Sequence, residues 1–293
     1  MSNEIRWILA SVDRDGSQAK RVAAKAVALA RLTGAHLELF VCDAEAAFSR
    51  RHQYEAEAAA RAKEICLAES RRYLEALRQG LAASDVEISL SVACESPLYE
   101  GIVGAIKRSR PDLVVRGAAE GAPLDPNDWE LISACPVPLL LTRGRPWQEH
   151  PIVAAAIDVS AEESRDLTRV ILRSAADLAD VAGGSVEIMH ADRFESTLSH
   201  VFGARRTALV ERARDAGLEG AECHLIAGDP AQALSELSAR RNFDLIVLGA
   251  LTHRKALTAL VGTLTGRLIE SLNTDFLLVK PAHSARTRSE SRA

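Results

Sequence analysis

The chain reads as α/β, built as two tandem doubly wound five-stranded parallel-sheet sandwiches, and three observations predict it. The first is a repeat. An apolar run ending in Asp, Ile8-Leu9-Ala10-Ser11-Val12-Asp13, returns as Val153-Ala154-Ala155-Ala156-Ile157-Asp158. An Asp-led apolar run ending in Gly, Asp112-Leu113-Val114-Val115-Arg116-Gly117, returns as Asp244-Leu245-Ile246-Val247-Leu248-Gly249. Such self-similarity marks duplicated domains. The second is length: 293 residues accommodate roughly two domains of about 150 residues. The third is the alternation of continuous apolar runs with helical periodicity, the pattern of a parallel sheet covered on both faces.

Each element follows from local pattern. In the first copy a strand is predicted at about 5–12 and a helix at about 17–34, where Val22, Ala26, Leu29 and Ala30 recur at helical spacing. A strand follows at about 36–42, then one long helix over 50–80, rich in Ala, Glu and Arg and free of Pro and Gly until Gly80. Strands at about 86–93 and 112–116 flank a helix at about 97–109, and Pro138 to Thr142 closes the copy. Arg143 to Pro151, with Gly144, Pro146 and Pro151, reads as the linker. The second copy repeats the order: strand 152–157, helix 162–182, strand 185–190, helix about 197–216, strand 222–226, helix 230–241, strand 244–248, helix about 262–272, strand 275–280. The domains are therefore set at 1–145 and 151–282, with a polar tail over 283–293 whose alternating Arg and Ser predict disorder.

Composition excludes several classes. A hydrophobic share of 47% is that of a soluble globular chain, and a net charge of −4 with interspersed signs gives no nucleic-acid footprint. No apolar run approaches the roughly 20 residues of a membrane helix, and no signal peptide is evident at the N-terminus. Cys42, Cys66, Cys94, Cys135 and Cys223 are odd in number and never in CxxC spacing. That pattern fits free thiols in a reducing compartment, so the expected location is the cytoplasm. The aromatic share is only 4%, so Trp129 is expected to pack rather than to recognise a ligand.

The stretch richest in chemistry runs from Gly249 to Thr263. A strand ends at Gly249, and Gly262-Thr263 opens a helix. Glycine lets backbone amides approach a phosphate, and a helix N-terminus supplies partial positive charge. Thr263 adds a hydroxyl, and His253, Arg254 and Lys255 in the same loop could complement phosphate charge. Asp158, at the carboxyl end of the first strand of its copy, can accept hydrogen bonds from a ribose or an adenine; capping the helix near Glu162 is its other reading. His190 falls at a strand end, where a packed, hydrogen-bonded role is expected rather than metal binding. No Cys-His-Asp or Ser-His-Asp order stands out.

The strand-Asp opening, the glycine-spaced ending and the tandem arrangement resemble the universal stress proteins, whose nucleotide-binding members carry G-x2-G-x9-G-[ST]. In this register Gly249 is followed by Thr252 where the second Gly belongs, and then by Gly262-Thr263. Pro126-Asn127-Asp128-Trp129-Glu130-Leu131-Ile132-Ser133-Ala134-Cys135-Pro136-Val137-Pro138 is similar to the P-T-D-W-x-L-L-x-x-C-P-x-P segment of the universal stress protein E subgroup, also a tandem. The resemblance spans about Ile5 to Pro281. It implies an ATP-type nucleotide, with Mg, in the second domain, and it places Ala156, Ile157, Asp158, Ala191 and Leu248 around adenine and ribose. It also implies that the two domains pair as an internal pseudo-dimer through Pro138–Thr142 and Asp275–Lys280, with a homodimer open as well. Thr252 departs from the pattern, adding a Cβ where the backbone would approach the phosphates.

The first copy keeps less of the motif. Gly117 is followed by Ala118-Ala119-Glu120-Gly121 and then Pro123 and Pro126, without a Gly-Ser or Gly-Thr helix opening. Asp128 is expected to cap a helix containing Trp129 and Leu131, and Asp13 to be a turn residue. This domain is read as binding no nucleotide, serving as a structural partner or holding an apolar molecule. The expected function is a cytoplasmic, ligand-responsive stress-response module with an as yet unknown protein partner, and at most slow ATP hydrolysis. The competing readings are a ligand-free scaffold for protein interaction and an ATP-using enzyme.

Overall fold

The computed structural model describes residues 4–14, 16–43, 56–119, 123–159, 164–192, 199–250 and 264–281. Two units divide the chain between Arg145 and Pro146. The first contains β1 (Trp7–Ser11), α1 (Gly16–Thr33), β2 (His36–Cys42), α2 (Ala56–Gln79), β3 (Ile88–Ala93), α3 (Leu98–Ser109), β4 (Leu113–Gly117), α4 (Pro126–Ala134) and β5 (Leu139–Thr142). Its strands are parallel in the order β3-β2-β1-β4-β5. The second contains β6 (Ile152–Ala156), α5 (Arg165–Val181), β7 (Ser185–Asp192), α6 (Ser199–Asp215), β8 (Glu222–Ala227), α7 (Pro230–Arg241), β9 (Leu245–Gly249), α8 (Leu264–Ser271) and β10 (Asp275–Val279). Its order, β8-β7-β6-β9-β10, repeats that of the first, again all parallel. Among the described residues no helix is long and apolar enough to cross a membrane.

The central strands are buried on both faces, so apolar runs without alternation suit them. Ile8, Leu9 and Ala10 of β1 and Val153, Ala154 and Ala155 of β6 are fully buried. Val22, Ala26, Leu29 and Ala30 of α1 are buried as their spacing requires. Left-handed residues stop three helices: Gly34 after α1 (φ 69°), Arg110 after α3 (φ 51°) and Asn242 after α7 (φ 55°). At its start α7 is held by Asp229, whose carboxylate accepts from the Gln232 amide at 3.2 Å, with Pro230 in the first turn.

The Asp that leads the fourth strand of each copy has a structural task. Asp112 Oδ2 accepts from the backbone amides of Arg6 and Trp7 at 2.9 and 3.0 Å, fixing the chain where β1 begins. Asp244 accepts from the backbone amides of Gln148 and Ile152, both at 3.0 Å, where β6 begins. The segment that leads into β6 is further tied to the second unit by Trp147, whose indole donates to Asp275 at 2.9 Å.

One capping expectation is corrected. The N-cap of α4 is Asp125, whose carboxylate accepts from the Asn127 amide at 2.7 Å, with Pro126 at the first helical position. Asp128 lies inside that helix, and its side chain is spent on Arg116 instead. Nor does Asp158 cap the following helix, since the N-cap position of α5 is Ser164.

Candidate functional site

In each unit the strand order reverses between the first and fourth strands, β1 beside β4 and β6 beside β9. Ligand crevices of doubly wound sheets lie beyond the carboxyl ends of the strands at such a point. The two copies fill this place differently.

In the first unit Arg116, near the end of β4, is a buried guanidinium. It donates from Nη1 to Asp13 Oδ1 at 2.7 Å and from Nε to Asp128 Oδ1 at 3.0 Å. Burial acts to lower the Arg116 pKa, but Asp128 and Asp13 together outweigh it and leave it above the ordinary arginine range. Burial pushes the Asp128 carboxyl up, against the opposing pull of Arg116. The Tyr73 hydroxyl of α2 also donates to the Asp13 carbonyl, at 3.1 Å. Asp13 is therefore an ion-pair partner, which corrects its reading as a simple turn residue. The triad seals this switch point with charge, and an apolar ligand for the first domain gains no support from it. Trp129 packs as expected, 9% exposed in α4.

In the second unit Leu248 takes the place of Arg116, since Ser11 is the register partner of Arg116 and the repeat sets Ser11 against Ala156. Leu248 is buried, as are Ala156 and Ile157, so the strand ends are apolar. The Ile157 amide donates to the Met189 carbonyl at 3.0 Å, and its own carbonyl meets His190 Nδ1 at 3.1 Å. His190 is buried and hydrogen-bonded as expected. The same ring nitrogen lies 3.7 Å from Asp158 Oδ1, while the Asp158 side chain remains 42% exposed. Ala191 sits next to His190 on β7, half-buried.

Gly249 closes β9, and a Cβ there would meet a methyl group of Leu167 on α5 at 2.7 Å. Gly117 is its counterpart, where a Cβ would meet Val22 of α1 at 2.7 Å. Both glycines thus let the first helix of their unit approach the fourth strand, which accounts for them without a phosphate. Thr252, His253, Arg254, Lys255, Gly262 and Thr263 lie outside the described residues.

Arg205 escaped the sequence reading. From α6 its Nη1 donates to the Val159 carbonyl at 3.1 Å, bringing a half-buried cation to the end of β6 one residue beyond Asp158. Its signal in the sequence was weak, because α6 carries several arginines and nothing in their spacing singles one out. Arg116 left a clearer sign: a charge inside a buried parallel strand, opposite Leu248 in the other copy.

Among the described residues one group of three could offer ligands to a metal: Glu187, Glu222 and His224 at the β7–β8 edge. Arg241 already spans it. Arg241 Nε donates to Glu187 at 3.0 Å and Nη2 to Glu222 at 2.6 Å, while His224 Nε2 bonds Glu187 at 2.7 Å. This is an internal ion-pair network around a buried glutamate. Its counterpart Glu38 in the first unit accepts instead from the Trp7 indole at 3.1 Å and from the Ser91 hydroxyl.

Fold and strand ends define a tandem doubly wound α/β protein, with one switch point holding a buried arginine and the other lined by apolar residues around the half-buried Asp158. Comparison with known proteins narrows the class. The Universal stress protein family model matches residues 152–280. The chain is 23% identical over 219 residues to universal stress protein E of Photorhabdus laumondii, covering 67% of this chain and 70% of that protein. It is 22% identical over 218 residues to universal stress protein E of Escherichia coli strain K12, covering 67% and 69%. A universal stress protein from Archaeoglobus fulgidus shares the fold with a TM-score of 0.67 at 14% identity, covering 96% of this chain and 98% of that one. A Pseudomonas aeruginosa protein of unknown function gives 0.71 at 22% identity, covering 96% and 94%. The likeness to the universal stress proteins is thus at the level of the family model over residues 152–280, and the chain as a whole is similar to universal stress protein E.

Proposed function

We propose that the second domain binds an adenine nucleotide, ATP with Mg, beyond the carboxyl ends of β6, β7 and β9, and that the protein acts as a cytoplasmic, ligand-responsive regulatory module. The observation that carries the proposal is the exchange of Arg116 for Leu248 at equivalent strand ends. In the first copy the guanidinium consumes the strand-end carboxylate. In the second the equivalent carboxylate, Asp158, lies 3.7 Å from His190 Nδ1, is 42% exposed against 33% for Asp13, and stands beside apolar Ala156, Ile157 and Leu248. A carboxylate acceptor at the rim of an apolar strand-end surface suits a ribose hydroxyl with a base packed beside it. Phosphates would then meet Gly262, Thr263, His253 and Arg254, with Arg205 supplying a further positive charge from α6.

In this reading nucleotide contact with residues 249–263 changes a surface that a partner protein reads, a population shift driven by differential binding. Hydrogen exchange in that segment should slow with ATP and Mg. Equal protection with and without nucleotide would sink the regulatory step. Binding itself is tested by calorimetry with ATP and Mg on the full chain and on Asp158→Ala. Heat that is lost in the variant supports the site, and equal heat in both proteins rejects it. A ligand-free role is favoured for the first domain alone, by the Arg116 triad.

A further inference from the structure

Helices α5 and α6 flank an open groove of about 90 Å³, lined by Arg165, Thr168, Arg169 and Leu172 on one side and by Arg212, Asp215 and Ala216 on the other. The lining residues recur at one-turn spacing on each helix, so each helix presents a single stripe to the groove. Thr168 and Leu172 are buried and form the floor. Three guanidinium groups and one carboxylate rise around it. Among the described residues neither Arg165 nor Arg212 pairs with an acid, and Arg169 is held only by an exposed contact with Asp166 at 3.0 Å. An exposed pair of that kind is weak and yields readily to another anion.

The fold does not require this arrangement. The repeat that aligns Val22 with Leu167 sets Lys20, Ala23, Ala24 and Val27 of α1 at the places of Arg165, Thr168, Arg169 and Leu172. The sister helix therefore covers its sheet with one cation and three small or apolar residues. Asp215 in the groove and Asp166 at its edge offset only part of the charge of the three guanidinium groups, so the groove keeps an excess of positive charge that an anion complements. Guanidinium groups match the oxygens of a phosphate in pairs, whereas a buried floor of Leu172 and Thr168 offers little to an extended peptide.

We infer that the α5–α6 groove is a second ligand site, which takes a phosphate group, free or carried on a small molecule, between Arg165, Arg169 and Arg212. The site is separate from the strand ends of β6, β7 and β9 and does not rest on nucleotide binding there.

The test is thermal unfolding of the full chain titrated with sodium phosphate or with glycerol phosphate, ionic strength being held constant with sodium chloride. The wild type, Arg165→Ala/Arg212→Ala and Asp158→Ala are compared, with circular dichroism to show that each is folded. A rising midpoint is expected for the wild type and for Asp158→Ala. In the double variant the concentration needed for the same rise should increase about tenfold or more, as loss of charge-assisted hydrogen bonds implies. A stronger response to glycerol phosphate than to phosphate assigns the group to a small-molecule ester, and the reverse assigns it to the free ion. Equal titrations for wild type and double variant, or no rise beyond that in chloride alone, would overturn the assignment. If the double variant is unfolded, Arg212→Lys and Arg165→Gln are titrated singly, and unchanged midpoints in both would overturn it equally.

Discussion

Arg116 brings two carboxylates with it into a buried setting, and removing one member of such a set leaves charge without compensation. Arg116→Leu should cost about 3–5 kcal/mol in urea unfolding, because Asp13 and Asp128 are then left facing each other. Adding Asp13→Asn and Asp128→Asn to Arg116→Leu should recover most of that loss. Recovery would separate lost compensation from lost packing; a triple variant as unstable as the single one would contradict the ion-pair reading. The cysteines make a pH prediction. Burial pushes the Cys42 thiol from 9.0 up to about 11, and burial with contacts to Cys94 and Asp43 pushes Cys66 up to about 12. The folded chain keeps these protons while the unfolded chain releases them above pH 9, so the unfolded state binds fewer protons and stability falls as pH rises from there. The thermal midpoint should drop between pH 9 and 11, and Cys42→Ala/Cys66→Ala should show a shallower drop. A double variant with the same pH slope would assign the loss to other groups.

At the level of elements, the same two devices serve both copies: an Asp that anchors the start of the first strand, and a Gly that admits the first helix against the fourth. The glycines should not be equally sensitive. At Gly117 a Cβ would press on Val22, whose branched side chain is stiff. At Gly249 it would press on the end of Leu167, which can turn aside. Gly117→Ala should therefore cost about 1–3 kcal/mol in chemical unfolding and Gly249→Ala less, with Val22→Ala restoring much of the first loss. Equal costs would mean that the helix, rather than the side chain, sets the contact. These elements were legible in the sequence because apolar runs and helical periodicity respond to burial, which composition records directly. His36–Cys42 and Pro230–Arg241 fall on their expected spans. The role of the Asp that leads each fourth strand was not legible, because its backbone partners lie far away in sequence, and for Gly249 the motif resemblance pointed toward a ligand rather than toward Leu167. Asp128 misled for a similar reason. A capping residue is recognised from its neighbours, and here Asp125 with Pro126 caps while Asp128 answers to Arg116 across the fold.

Across the whole molecule, duplication followed by divergence has given two units with the same strand order and unlike strand ends. In one the strand-end carboxylate pairs with Arg116; in the other the equivalent carboxylate lies near His190 at the rim of an apolar surface. A single nucleotide per chain is the expected stoichiometry, and it should be insensitive to changes around Arg116. The measurement to make is calorimetric titration of the full chain with ATP and Mg, alongside Asp158→Ala, Gly262→Asp and Asp13→Asn. One site per chain is expected, lost in Asp158→Ala and in Gly262→Asp and retained in Asp13→Asn. Two sites, or binding that survives Asp158→Ala and fails in Asp13→Asn, would contradict the assignment of the nucleotide to the second domain.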